Sequence, residues 1–208
     1  DPEIFNMLGA SLRELGDDSG ATRAFYQALR LDPDRATTLT LLGIQDALVA
    51  KYDSALRWVD SALAVDAGFY DAYVSRGFYR LLLGDTAGAR ADAQVARQLP
   101  SGNHLSDETL AVLIDARSGR VTPARRRLDR LMTSFAGRNT PPSPLVATLL
   151  ARALHAVGDR DRALDVLERA APRGAVLWFW LRFPGFDTIR ADPRFQRVMA
   201  ESRPPLTS

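Results

Sequence analysis

The chain has 208 residues, of which 46% are hydrophobic and 25% are charged, and its formal net charge is +2. This composition indicates a globular protein rather than a disordered chain, and so small a net charge does not predict nucleic-acid binding. Because the sequence contains no Cys, it excludes a disulfide framework and a thiolate metal site. Its longest apolar stretch, near residues 175–181, is far shorter than the roughly 20 residues that a membrane-spanning helix needs.

Small residues recur along the first half of the chain with one constant period, the interval from Gly9 to Gly43. The residues that keep this period are Gly9, Gly43 and Gly77, then Ala21, Ala55 and Ala89, and then Ala28, Ala62 and Ala96. A fixed period of this length is the signature of a repeat protein in which each repeat is one supersecondary unit. The sequence therefore predicts three repeats, at residues 2–35, 36–69 and 70–103.

Each repeat is predicted to be a helix–turn–helix. In the first repeat, apolar residues recur at helical spacing, at Phe5, Leu8, Leu12 and Leu15 in one helix and at Ala21, Phe25, Ala28 and Leu29 in the next. Gly16 suits the left-handed position that ends a helix, and Asp17 or Asp18 can cap the helix that follows. Pro33 ends the second helix because proline disfavours helical backbone in the residue before it.

Three segments share the order Gly-Asp, a few small or polar residues, and then Ala: "LGDDSGA", "LGDTAGA" and "VGDRDRA". A phosphate-binding loop would follow a strand and would often end in Lys followed by Ser or Thr. Here a predicted helix precedes each segment, and no Lys follows. We therefore interpret all three as turns between paired helices, and the chain as a scaffold rather than a nucleotide-handling enzyme.

The second half of the chain keeps the period less well. A fourth repeat near residues 105–138 has Gly119 and Ala124 one place out of register, and a fifth at residues 144–177 keeps Gly158 and Ala163. Residues 139–143 are Pro-rich and are predicted to form a stiff connector. Residues 178–201 lack the repeat pattern, but we expect them to cap the last helix pair, because an uncapped repeat leaves an apolar face in water. The apolar residues of this cap are Phe183, Phe186, Ile189, Phe195, Val198 and Met199. Residues 202–208 are predicted to be a flexible tail.

This pattern resembles the tetratricopeptide repeat (TPR) family, whose repeats carry Leu-Gly, Gly, Ala, aromatic and Pro residues at fixed offsets. The first repeat matches that pattern at Phe5, Leu8, Gly9, Gly16, Ala21, Phe25, Ala28 and Pro33. The resemblance implies an all-α fold, a right-handed α–α superhelix of about five helix pairs with a C-terminal capping helix. The end of the chain also resembles the ends of TPR arrays in bacterial multidomain regulators.

In the TPR family, the first helices of successive repeats line a concave groove that binds a protein or peptide segment. The positions that match this groove are Asn6, Ala10, Arg13, Thr40, Ile44, Leu48, Val74, Phe78, Leu81, Thr109, Leu113, Arg117 and Arg152. They imply an apolar middle with polar, Arg-bearing ends, which suits a segment with apolar anchors. Exposed anchors are expected at Ile44, Val74, Phe78 and Leu81. Arg13 and Arg152 are expected at the rim, and core positions are expected at Leu8, Tyr73 and Ala89.

One basic cluster lies outside the predicted groove, at Arg125, Arg126, Arg127 and Arg130. It is predicted to be a solvated helix face with charge contacts along the helix, and the alternative is a secondary site for an acidic partner. The two histidines, His104 and His155, have no Cys to complete a zinc site. No Gly-x-Ser-x-Gly elbow signals a hydrolase nucleophile. Catalytic residues, a metal and a cofactor are therefore not expected.

The sequence thus predicts a non-catalytic scaffold that binds a protein or peptide segment, with no nucleic-acid partner. One alternative is that the partner is another domain of the same polypeptide, so that the repeats are the regulatory arm of a bacterial kinase, cyclase or winged-helix regulator. Another is a homo-oligomerisation module. The chain begins at Asp1 rather than Met, so we expect it to be part of a longer polypeptide. The sequence assigns no compartment, although it slightly favours the cytoplasm.

Overall fold

The computed structural model describes residues 1–100, 102–135 and 143–204, and the regular secondary structure of these residues is entirely helical. This confirms the all-α class predicted from the sequence. The chain forms two compact units, Asp1–Gly102 and Asn103–Ser208, which we call the N-terminal and the C-terminal unit. The division falls where the period of the sequence loses its register. Within the described residues, no helix is both long enough and apolar enough to cross a bilayer.

Six helices form the N-terminal unit: α1 (Pro2–Glu14), α2 (Asp18–Leu31), α3 (Ala36–Leu48), α4 (Tyr52–Val65), α5 (Tyr70–Leu82) and α6 (Thr86–Gln98). They pack as the pairs α1/α2, α3/α4 and α5/α6. The first helices of the pairs start one period apart, and so do the second helices. Each period of the sequence is therefore one helix pair, as predicted.

A left-handed residue joins the two helices of each pair, and an Asp caps the second helix in the first and third pairs. Gly16 and Gly84 have φ angles of 89° and 88°, which glycine adopts without steric cost. The side chain of Asp17 accepts a 2.7 Å hydrogen bond from the backbone N–H three residues later, and Asp85 does the same at 2.8 Å. Ala50 occupies the equivalent position in the second pair with a φ of 59°. The Gly-Asp segments of this unit are thus turns, as predicted.

The small residues of the repeat allow the helices of a pair to approach closely. A Cβ atom added at Gly9 would lie 2.7 Å from Cδ1 of Phe25, so only glycine fits beneath that ring. Phe25 is itself buried in a core cluster with Leu42, and Leu12 packs against that cluster. The prediction that Leu8 is a core residue is wrong, because α2 covers the side of α1 that carries Gly9 and Leu12 and leaves Leu8 exposed. The other predicted core positions are buried at Ala89 and half-buried at Tyr73.

The C-terminal unit contains α7 (His104–Arg117), α8 (Val121–Phe135), α9 (Pro144–Ala156), α10 (Arg160–Ala170), α11 (Ala175–Arg182) and α12 (Pro193–Ser202), with 3₁₀ turns at Ala171–Arg173 and Asp187–Ile189. Gly158, with a φ of 84°, ends α9 at the third Gly-Asp segment. The predicted connector lies outside the described residues except for Ser143, which caps α9. The predicted tail starts at Ser202, which is the buried last residue of α12, and residues 205–208 lie outside the described residues.

The segment without a repeat pattern packs on the last helix pair. Phe186 and Phe195 are buried in one core cluster with Leu154 of α9 and Leu164 of α10, and their ring centroids lie 5.5 Å apart. Arg194 of α12 adds hydrogen bonds to the carboxylate of Glu168 on α10, at 2.9 and 2.7 Å. The same arginine keeps the pKa of that carboxyl below its usual value. This is the capping arrangement expected from the apolar residues of the segment.

Candidate functional site

Five apolar side chains on the first helices of the N-terminal unit make up what we call the candidate groove: Ala10, Ile44, Leu48, Val74 and Phe78. All five are half-buried, so each is held by the fold yet keeps accessible surface. Ala10, Ile44 and Phe78 occupy one repeat position, since each lies one period after the last. Because α3 packs against α5, two neighbouring helices present Ile44, Leu48, Val74 and Phe78, and α1 contributes Ala10.

Two residues predicted for the groove are buried instead. Leu81, expected to be an exposed anchor, and Arg13, expected at the rim, share one repeat position with the buried Ala47. That position faces the interior of each helix pair, as the guanidinium of Arg13 shows by lying 5.7 Å from the ring centroid of the buried Phe25. The neighbouring residue Leu82 is half-buried and lies one period after Leu48 of the candidate groove.

The polar groove positions of the N-terminal unit are also buried. Asn6 on α1 and Thr38 on α3 exchange hydrogen bonds, with Nδ2 of Asn6 donating at 3.0 Å and the threonine hydroxyl donating at 3.1 Å. Thr40 is buried on the same helix as Thr38. Asn6 therefore ties the first helices of two pairs together, and its polar atoms serve the fold.

Of the groove positions predicted in the C-terminal unit, Thr109 and Arg152 are buried, Leu113 is half-buried and Arg117 is exposed. Arg152 donates a 3.1 Å hydrogen bond to the carbonyl oxygen of Trp180. Its guanidinium lies 5.4 Å from the ring centroid of Phe183 and 5.5 Å from that of Phe186. Burial lowers the pKa of Arg152 to about 9, so holding this cation costs free energy. Arg152 of α9 thus packs against the cap, and the prediction that it lies at a rim is wrong.

His155 of α9 contacts the cap. Its Nε2 lies 2.8 Å from the hydroxyl oxygen of Thr188. Burial, and then the positive charge of Arg160, lower the pKa of His155 below its usual value, so the fold favours the neutral imidazole. The other histidine, His104, is exposed at the start of α7. Among the described residues, no cluster of three or more His, Cys, Asp and Glu side chains has the geometry of a metal site.

Two arginines of the basic cluster on α8 bind neighbouring helices, and the other two are exposed. Both Nε and Nη2 of Arg125 donate to the carbonyl oxygen of Val157 at the end of α9, at 3.2 and 2.9 Å. Arg127 donates a 2.8 Å hydrogen bond to Glu108 on α7. Arg126 and Arg130 are exposed. Half of the cluster therefore joins α8 to its neighbouring helices, where the sequence analysis expected charge contacts along α8 itself.

Sequence reasoning missed an ion-pair network in the N-terminal unit. Asp92 is buried in α6 and accepts hydrogen bonds of 2.7 Å from both Arg76 and Arg80 of α5. Arg76 also donates to Asp60 of α4 at 2.7 Å, so the network joins three helices. Its signal is present in the sequence, because Asp92 follows Ala89 by three residues and so lies on the apolar side of α6.

The N-terminal unit also has a cavity of about 380 Å³ that no motif predicted. Its walls include Tyr26 and Trp58, whose ring centroids are 6.3 Å apart and whose planes meet at 68°. The indole N–H of Trp58 donates to Asp46 at 3.0 Å. The side chain of Gln45 donates from Nε2 to the hydroxyl of Thr22 at 3.3 Å. Trp58 also packs against the core cluster of Phe25 and Leu42, so it is half-buried in the cavity wall.

No family model matches the chain. Protein FlbA of Caulobacter vibrioides is 32% identical to it over 118 residues, which are 57% of this chain and 19% of that protein. The chain thus spans about a fifth of the length of this curated relative.

Solved structures of similar fold cover nearly all of the chain. A thermophilic TPR protein of Thermus thermophilus is 17% identical with a TM-score of 0.65, over 97% of this chain and 98% of that one. The type IV pilus biogenesis factor PilW is 16% identical with a TM-score of 0.64, over 95% and 98% of the two chains. A tetratricopeptide repeat protein from Parabacteroides merdae is 13% identical with a TM-score of 0.62, over 97% and 84%. These likenesses confirm that the chain has the all-α helical-repeat fold of TPR proteins.

Proposed function

We propose that the chain is a non-catalytic scaffold that binds a segment of a partner protein in the candidate groove, with Phe78 as the main anchor. The observation that carries this proposal is the change in side-chain size at one repeat position, from Ala10 through Ile44 to Phe78. At a second position, the buried Thr40 of α3 is replaced by the half-buried Val74 of α5. At the first position the apolar side chain grows from α1 to α5, and at the second an apolar side chain replaces a polar one from α3 to α5.

The environment of Phe78 suits an anchor for binding. Its ring is half-buried, and its centroid lies 6.5 Å from that of the buried Tyr79, with the planes at 62°. Because an ordered helix already holds the ring, a partner can bury the exposed part of the ring at little cost in side-chain entropy. Val74 lies one turn before Phe78 on α5, and Ile44 lies on the adjacent α3. Anchors at this spacing fit an amphipathic helix or an extended peptide with alternating apolar side chains.

The test is to select peptides from a random library against the immobilised chain and to measure their affinities for variants by calorimetry. We expect the selected peptides to carry apolar anchors and to lose about thirtyfold in affinity for Phe78→Glu, since an interface aromatic commonly contributes about 2 kcal/mol. Ile44→Glu should cost less than Phe78→Glu, and Ala10→Glu should cost least.

Leu83→Glu is the matched control. Leu83 is a large apolar residue that follows α5, and it is 45% exposed outside the candidate groove. This variant should bind the selected peptides as the unchanged chain does, and circular dichroism should show that both Phe78→Glu and Leu83→Glu remain helical. Peptides that bind Phe78→Glu as tightly as the unchanged chain would refute the candidate groove.

A further inference from the structure

Helix α1 exposes an apolar stripe on the side away from its partner helix. Ile4 is 63% exposed, Met7 is 64% exposed and Leu8 is 46% exposed. Ile4 and Met7 are three positions apart, and Ile4 and Leu8 are four apart, so the three side chains form one continuous stripe along the helix. We call this stripe the outer face of α1. The candidate groove uses Ala10 on the same helix and none of these three residues.

The second helix pair shows what covers the same positions elsewhere in the unit. The residues of α3 that lie one period after Ile4 and Leu8 are Thr38, which is 0% exposed, and Leu42, which is 2% exposed. Leu42 belongs to the core cluster that contains Ala21 and Phe25 of α2. Leu41, the equivalent of Met7, packs against the same cluster. Helix α2 therefore contacts this stripe of α3 at Leu41 and Leu42, while Thr38 is hydrogen-bonded to Asn6 of α1.

The third pair repeats the arrangement with different chemistry. Ala72, the equivalent of Ile4 on α5, is fully buried. Arg76, the equivalent of Leu8, is held by a 2.7 Å ion pair with Asp60 of α4. The second helix of the preceding pair thus contacts this stripe in both α3 and α5, through Leu42 in one and Arg76 in the other, and Arg76 also pairs with Asp92 of its own helix pair.

The exposure of Leu15, just after α1, has a different meaning. Leu15 is 52% exposed, but its equivalents Val49 and Leu83 are 58% and 45% exposed as well. Exposure at that position is common to all three pairs, so it does not indicate a surface that another helix covers. Exposure of Leu8, by contrast, differs from the 2% of Leu42.

We propose that the outer face of α1 is a docking surface for an amphipathic helix whose contact stripe has the chemistry of α2. That chemistry is a small residue, an aromatic four positions later, and small and apolar residues one turn beyond, as in Ala21, Phe25, Ala28 and Leu29. The small residues let the helix approach closely, and the aromatic ring fills the space between Met7 and Leu8. This surface is independent of the candidate groove, so either can fail without the other.

The probe is a synthetic peptide of residues 17–31 with blocked termini and a fluorescent label, titrated with the full chain by fluorescence anisotropy. Because an isolated helix of this length is only marginally stable, the same segment is also joined to Asp1 by a flexible Gly/Ser linker, which raises its effective concentration to about millimolar. We expect saturable binding of the peptide, or slowed amide exchange of α1 in the fusion.

Variants of the chain and of the peptide show whether the outer face of α1 is the surface that binds the peptide. Leu8→Asp should weaken binding at least about tenfold, as should Phe25→Ala made in the peptide alone. Leu15→Asp is the matched control and should change the affinity less than about twofold. The proposal is overturned if neither peptide nor fusion engages α1, or if Leu15→Asp weakens binding as much as Leu8→Asp. It is also overturned if the chain alone forms a dimer that Leu8→Asp dissolves, because a second copy is then the occupant.

Discussion

Replacing Ala50 by glycine should stabilise the N-terminal unit. Ala50 has a φ of 59°, the left-handed region that residues with a Cβ atom disfavour. Its N–H donates to the carbonyl of Ala47 at 3.2 Å, and the N–H of Lys51 donates to Asp46 at 2.9 Å. The turn at Gly84 makes the same two bonds, at 3.2 and 2.8 Å. The substitution therefore keeps the hydrogen bonds of the turn and removes only the backbone strain.

The expected gain follows from two opposing contributions. Left-handed backbone costs a residue with a Cβ atom about 1–2 kcal/mol. Glycine loses more conformational freedom on folding, which takes back about 0.4–1 kcal/mol. With each contribution taken near the middle of its range, the net gain in the free energy of unfolding should be about 0.5–1 kcal/mol. If the unit unfolds cooperatively, this corresponds to a rise of about 2–8 °C in melting temperature.

Urea denaturation of the full chain, followed by circular dichroism, measures this gain against two further variants. Gly84→Ala should lose about as much as Ala50→Gly gains, because no described atom lies within 4 Å of the added Cβ and only the backbone conformation is penalised. Ala64→Gly, at an exposed site in the last turn of α4, should lose up to about 1 kcal/mol through helix propensity. The reasoning fails if Ala50→Gly is destabilising like Ala64→Gly, or if Gly84→Ala costs nothing.

Two predictions concern the C-terminal unit. Folding lowers the pKa of His155, so the unfolded chain protonates this imidazole more readily than the folded chain does. The contribution of the neutral imidazole to the free energy of unfolding is therefore complete above about pH 6.5, and it is lost as the pH falls through the folded pKa. Thermal melts between about pH 8 and pH 5 should therefore show a smaller decrease for His155→Gln than for the unchanged chain, and an equal decrease would contradict it. Phe195→Ala should lower the free energy of unfolding by about 3–5 kcal/mol, because Phe195 is buried between the cap and the last helix pair. Glu201→Ala, at an exposed site on the same helix, should change it by less than about 0.5 kcal/mol, and similar losses for the two would mean that the cap does not stabilise the unit.

The turns of the fold were predictable because they depend on local backbone chemistry. A left-handed φ at Gly16 and Gly84 and a capping carboxylate at Asp17 and Asp85 are properties of a few adjacent residues. The burial of Leu81 was not predicted, since adjacent residues of a helix point about 100° apart and the apolar pair at Leu81 and Leu82 does not say which one faces inward. The repeat did not settle it either, because the position of Leu81 is alanine in the second pair but arginine in the first.

The burial of Arg152 was not predictable from the sequence for a different reason. An arginine on a first helix is expected to face solvent, since arginine is rarely buried. Its burial depends on Phe183 and Phe186, which lie far downstream in the sequence, in the segment without a repeat pattern. No local or periodic signal places those rings over α9. The same reason applies to His155, whose contact with Thr188 also comes from the cap.

In a repeat protein, the exposure of a residue can be compared with the exposure of the equivalent residues in the other repeats. Where one repeat position is exposed in every pair, as at Leu15 and its equivalents, the exposure belongs to the geometry of the pair. Where exposure differs between pairs, as between Leu8 and Leu42, it depends on what lies against that particular helix. Comparison of equal positions therefore separates ordinary surface from surface that fits a partner. It favours a helix like α2 as the partner of the outer face of α1, and it shows that the largest side chain of the candidate groove lies on α5, where Phe78 occupies the position that is alanine in α1.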